Sequence, residues 1–94
     1  MTIRARVEDQ QGRTVELTAE RWVHIAESHP DIRSLSDVVL RAVQMPDHWA
    51  RGRSGNEEWY YLKTDAPSAW LKVVVAYAER RGHVVTAFAR RSIP

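Results

Sequence analysis

Between Thr18 and Met45 the apolar residues recur at helical spacing, and from His48 onward they alternate or run together as strands do. Helices grouped together and strands grouped together argue against a βαβ fold and for an α+β domain with an antiparallel sheet. The clearest segment is Leu35, Val38, Val39, Ala42 and Val43, spaced i, i+3, i+4, i+7 and i+8 along one helical stripe. Ser34-Leu35-Ser36-Asp37 offers its cap, with Asp37 in the place a capping box gives to glutamate, and Met45-Pro46-Asp47 ends it. The helix before it is expected over Ala19 to Ser28. Thr18 supplies the N-cap, and Glu20 sits in the first turn, where the helix dipole favours a negative charge. Trp22, Ile25, Ala26 and His29 define one face, and Pro30 stops the helix by pushing the residue before it out of the α region.

The strands follow from period-two patterning. Ile3, Ala5 and Val7 alternate with Arg4, Arg6 and Glu8, Asp9-Gln10-Gln11-Gly12 turns the chain, and Arg13 to Leu17 returns. After the helices come His48 to Arg51, the aromatic-rich Glu57 to Lys63, Trp70 to Ala78, and His83 to Arg90. Trp70 to Ala78 is the most apolar and is expected at the centre. Glu79-Arg80-Arg81-Gly82 reads as a hairpin turn. The order is ββ-αα-ββββ: an N-terminal hairpin, then two helices packed on a four-stranded antiparallel sheet, in one domain over residues 1–94.

Ninety-four residues leave no room for a second core, and 44% apolar content is enough for the first. With no cysteine, disulfides, thiolate metal sites and a cysteine nucleophile are excluded. The first residues lack an apolar signal core, and the longest apolar stretch, Val73 to Ala78, is too short to cross a bilayer. The expectation is a cytoplasmic protein without a membrane partner. Net charge is only +2, but twelve of the fourteen basic residues are arginine. The planar guanidinium suits phosphate recognition, although codon bias enriches arginine as well.

Four histidines are the only side chains that titrate near neutrality unaided. His24 and His29 are five residues apart, about 140° around a helix, so they do not share a face. His29 reads either as a helix C-cap or as a site group, and His24 either as a surface residue beside the stripe or as an acid/base. His48 and His83 start strands and read as solvated. The spacing matches no zinc motif, so neither metal nor cofactor is expected. Arg51 and Arg53 flank a glycine, Arg80 and Arg81 occupy a turn, and Arg90 and Arg91 close the last strand. These are solvated charges or a phosphate-binding rim. Trp49, Trp59, Tyr60 and Tyr61 could stack bases, but alternation sends Tyr60 to the face opposite Trp59 and Tyr61, so at least one side is core. Thr86 is expected on one face with Val84, Phe88 and Arg90, either as a strand former or as a hydroxyl that orients a histidine or a phosphate. A glycine-rich phosphate loop and a Gly-x-Ser-x-Gly elbow are both absent, which removes NTPase, dinucleotide-binding and elbow-hydrolase readings.

The stretch Leu17-Thr18-Ala19-Glu20-Arg21-Trp22-Val23-His24-Ile25, then Ser28-His29-Pro30-Asp31, Met45-Pro46-Asp47, Val73-Val74-Val75 and Val84-Val85-Thr86-Ala87-Phe88, resembles small phage- and toxin-associated domains of the barnase–EndoU–colicin–RelE-like nuclease superfamily. The likeness covers about Val15 to Arg90. It implies a helix pair on a four-stranded antiparallel sheet and metal-independent RNA cleavage, with RNA as substrate and a protein antitoxin or immunity partner. By similarity it implies catalytic roles for His24, His29 and Thr86, and for Arg51 or Arg53. Trp59, Tyr60 and Arg90 are the expected RNA-binding residues. Where such families often carry a tyrosine after the Thr-Ala pair, this chain has Phe88, a ring without a hydroxyl.

Overall fold

The computed structural model describes every residue up to Ile93. Two strands, β1 (Ile3–Glu8) and β2 (Thr14–Thr18), form the opening hairpin. Helix α1 (Ala19–Ser28) starts directly at the end of β2, where the Thr18 hydroxyl accepts the Arg21 N–H at 3.0 Å. A short 3-10 turn, Pro30–Ile32, leads to α2 (Ser36–Gln44). Strands β3 (His48–Arg51), β4 (Glu57–Lys63), β5 (Trp70–Ala78) and β6 (Arg81–Arg90) follow.

The element order agrees with the expected ββ-αα-ββββ, but the sheet does not. It has six strands in the order β1-β2-β6-β5-β4-β3, and β2 lies parallel to β6. The four C-terminal strands are antiparallel to one another as expected. The hairpin extends that sheet because β2 carries apolar residues and a clamp. Val15 and Leu17 are wholly buried in the same cluster as Trp22, Ile25, Val39, Val43, Leu62, Val73 and Val75. Helix α2 covers one face of the sheet across β4 and β5, and α1 packs along β2 and β6.

The clamp closes one end of this core. Arg13 donates from Nε to Asp9 at 2.8 Å and from both terminal nitrogens to Glu58 at 2.8 and 2.7 Å, while its guanidinium lies 3.8 Å from the Tyr77 ring centroid. Asp9 also accepts the backbone N–H groups of Gln11 and Arg13 and the Tyr77 hydroxyl. Burial raises the Asp9 carboxyl, but these donors outweigh it and hold its pKa below the usual range. The Tyr60 and Tyr77 hydroxyls meet at 2.6 Å, and desolvation pushes Tyr60 up to about 12. On the opposite face Glu16 ties β2 to β1 and β6, accepting from Arg6 at 2.8 Å and Arg81 at 2.7 Å.

Three local expectations are corrected. No side chain caps α2: Leu35 takes the N-cap position, and Asp37 lies in the first turn. The last hairpin turn is shorter than Glu79 to Gly82, because only Glu79 and Arg80 turn and β6 begins at Arg81. Glu79 adopts the left-handed region at φ 58°. Thr86 does not share a face with Val84. The β5–β6 register shifts between Val74 and Val75, so that Thr86 opposes Val74 while Val84 opposes Val75 in the core.

Gly82 is a strand residue fixed by packing. A Cβ there would stand 2.7 Å and 2.9 Å from Tyr77 ring carbons and 2.9 Å from Val75 Cγ1. The Tyr77 ring is pinned at its hydroxyl by Asp9 and Tyr60 and cannot swing away. Gly82→Ala is therefore expected to destabilise by about 1–3 kcal/mol in urea unfolding. Parent-like stability would show that the ring yields.

Candidate functional site

Residues directly opposite one another in a sheet present their side chains on one face. On the face opposite α2, His48 opposes Tyr61, Tyr61 opposes Lys72, and Lys72 opposes Phe88, which makes one row across four strands. The next row runs Ala50, Trp59, Val74 and Thr86. Lys63, Trp70 and Arg90 form another on the other side. Tyr61, Val74 and Lys72 are all buried on this face, with Tyr61 and Val74 outside the helix-facing core cluster.

Lys72 is the centre of the arrangement. It is 8% exposed, yet its ammonium ends among rings: Nζ lies 3.5 Å from the Trp59 centroid, 5.6 Å from Phe88 and 5.7 Å from Tyr61. Cation–π attraction offsets part of the cost of burying the charge. Burial lowers the Lys72 pKa, and the Arg90 and Arg53 charges lower it further. Glu57 pulls the other way. Among the described residues the ion pairs join Arg6, Arg13 and Arg81 to Asp9, Glu16 and Glu58, and none includes Lys72, Arg53 or Arg90. Glu57 instead accepts the Trp59 indole N–H at 3.2 Å.

Two polar groups border the lysine. The wholly buried Tyr61 hydroxyl makes no well-formed hydrogen bond, and the Arg90 side chain is the polar group that reaches toward it. Burial raises its pKa, and the Arg90 charge and side-chain hydrogen bonding oppose that shift. The second is His29. Its backbone N–H caps α1 by bonding the Ile25 carbonyl at 2.8 Å, and its imidazole stacks on Phe88 with centroids 5.6 Å apart and planes 29° from parallel. The residue is thus both a C-cap and a neighbour of the lysine site.

The residues singled out in the sequence are distributed unevenly around this centre. Trp59, Thr86, Arg90 and His29 belong to the open face. Arg53 lies exposed in the β3–β4 turn, within electrostatic reach of Lys72. Arg51 opposes Glu58 on the helix-facing side and leans over Trp49, 5.9 Å from its centroid. Tyr60 is 3% exposed in the helix-facing core, its hydroxyl tied to Tyr77, so no base can lie on it. His24 is exposed on α1 and lines an open groove of about 770 Å³ with Glu16, Thr18, Arg21 and His83, which none of Lys72, Tyr61, Phe88 or Arg90 lines. Among the described residues no three His, Asp or Glu side chains converge to hold a metal.

Sequence reasoning missed Lys72 and the buried Tyr61 hydroxyl. The signal for the first was present: one of only two lysines in a chain rich in arginine interrupts its most apolar strand. A charge at such a position is either paired or functional. No family model, no curated protein and no solved structure matches the chain.

Proposed function

We propose that this chain is a metal-independent ribonuclease of the toxin type, working on the open sheet face around Lys72. The observation that carries the reading is a nearly buried ammonium, ringed by aromatic side chains, with two arginine charges pressing on it and no carboxylate in an ion pair with it. Such a centre lacks an anion, and a phosphodiester supplies one.

In metal-free cleavage the 2′-oxygen of ribose attacks the adjacent phosphorus as its proton leaves. The bond from phosphorus to the 5′-oxygen then breaks, and that oxygen takes up a proton. The products are a 2′,3′-cyclic phosphate and a free 5′-hydroxyl. Lys72, with the Arg90 and Arg53 charges, suits the negative charge that builds on the phosphorane. His29, stacked on Phe88 at the lysine site, is the titratable group available for proton transfer, and Thr86 provides a hydroxyl one row away. His24, in its separate groove, is not needed for this arrangement.

A protein-docking module would be marked by a contiguous apolar patch around Trp49 and Trp59. The two lie on opposite faces of the sheet, and the Trp49 indole N–H is engaged by Glu58 at 3.0 Å. The deciding experiment is a digest of varied single-stranded RNAs in excess EDTA with end-group analysis. Fragments ending in 2′,3′-cyclic phosphate are expected, and RNA that stays intact at high protein concentration would sink the reading.

A further inference from the structure

The lysine site is bracketed. Trp59 on β4 and Phe88 on β6 stand to either side of Lys72 on β5, and both are only half-buried. Two strand spacings across the sheet and one row along it, roughly 12 Å, separate their backbones. The Trp59 ring leans over the ammonium at 3.5 Å, and the His29 imidazole stacks on the Phe88 ring. A phosphodiester bound at the ammonium carries one nucleoside on each side of its phosphorus.

We infer that Trp59 and the Phe88–His29 pair are the two base-stacking subsites flanking the phosphate, so that the substrate is an unpaired dinucleotide step of a single strand. The inference rests on the RNA reading of this face and narrows it. Bases in a duplex are stacked and paired inside the helix, and their flat faces are not available to a protein ring. Unpaired bases can lie on aromatic rings irrespective of sequence. The same geometry explains Phe88: a stacking platform uses the π face and has no need of a hydroxyl.

The test uses a 2′-O-methyl oligoribonucleotide, which cannot undergo 2′-oxygen attack, labelled for fluorescence anisotropy and presented as single strand or as duplex. Trp59→Leu and Phe88→Leu keep an apolar side chain but remove the π face. The single strand is expected to bind at least tenfold more tightly than the duplex. Each leucine variant is expected to lose roughly tenfold in affinity with the slope against salt unchanged, because stacking releases no counterions. Equal binding of duplex and single strand, or parent-like binding by both folded leucine variants, would overturn the inference. The two readings fail separately. RNA that is cleaved but binds unchanged to the leucine variants removes the subsites alone. RNA held through the rings yet never cut removes the ribonuclease and leaves the subsites.

Discussion

Lys72→Met is expected to reduce RNA cleavage by about 10²- to 10³-fold, the usual cost of removing one electrostatic donor from a transition state. It is expected to do so without loss of stability. The ammonium is disfavoured in the folded state, where burial comes first among the causes that lower its pKa. A group with a depressed folded pKa contributes most above its unfolded value, here the ordinary 10.5, and less as pH falls through the folded value. At neutral pH the charged lysine therefore works against folding, and a methionine of similar length removes that penalty while keeping contact with Trp59 and Phe88. Initial cleavage rates beside urea unfolding curves check both halves. A variant that cuts RNA at the parental rate would move the chemistry away from Lys72. If His24→Ala then abolished cleavage, the chemistry would belong to the groove on α1.

Arg13→Ala should lower stability by about 3–5 kcal/mol, because it leaves two carboxylates without the cation that compensates them. The Asp9 side chain is 1% exposed and that of Glu58 13%, so water cannot readily take the guanidinium's place. In a domain of this size that loss lowers Tm by roughly 12 °C or more. An acid signature accompanies it. The Arg13 hydrogen bonds head the causes that lower Glu58, and for Asp9 burial is outweighed by its donors, so both folded values lie below the ordinary 4.5 and 3.8. Carboxyls depressed on folding stabilise above those values, and the contribution is lost as pH falls through the folded ones. The parent should therefore weaken progressively below about pH 4.5, and Arg13→Ala should show a shallower dependence there, since its carboxyls have less reason to be depressed. Equal acid slopes in thermal melts at several pH values would show that Arg13 does not govern these two groups.

Much of the chain was readable from local chemistry. The Thr18 cap, the stop at Pro30, the α2 stripe and the strand Trp70–Ala78 depend on residues near one another in sequence, and each stands where its pattern placed it. The hairpin's attachment was not readable in this way. Pairing β2 with β6 joins Thr14 to Arg81, and the Arg13–Glu58 contact spans forty-five residues. No period within either strand encodes a partner so far away. The β5–β6 register shift, which sends Val84 to the core and Thr86 to the open face, is similarly invisible to a strict alternation.

The candidate site divides along the same line. His29, Thr86, Trp59, Arg53 and Arg90 drew notice through their residue types and positions, whereas Tyr60 and Arg51 carried the same apparent promise and lie on the helix side of the sheet. By itself the sequence determined which segments are helices and strands and where most of them end, because capping, proline geometry and hydrophobic period act over a few residues. Only the tertiary structure decided that Lys72 sits unpaired beneath Trp59 and Phe88 and that the Tyr61 hydroxyl is buried beside Arg90. The burial and charge balance of a side chain are set by strands packed beside it from elsewhere in the chain.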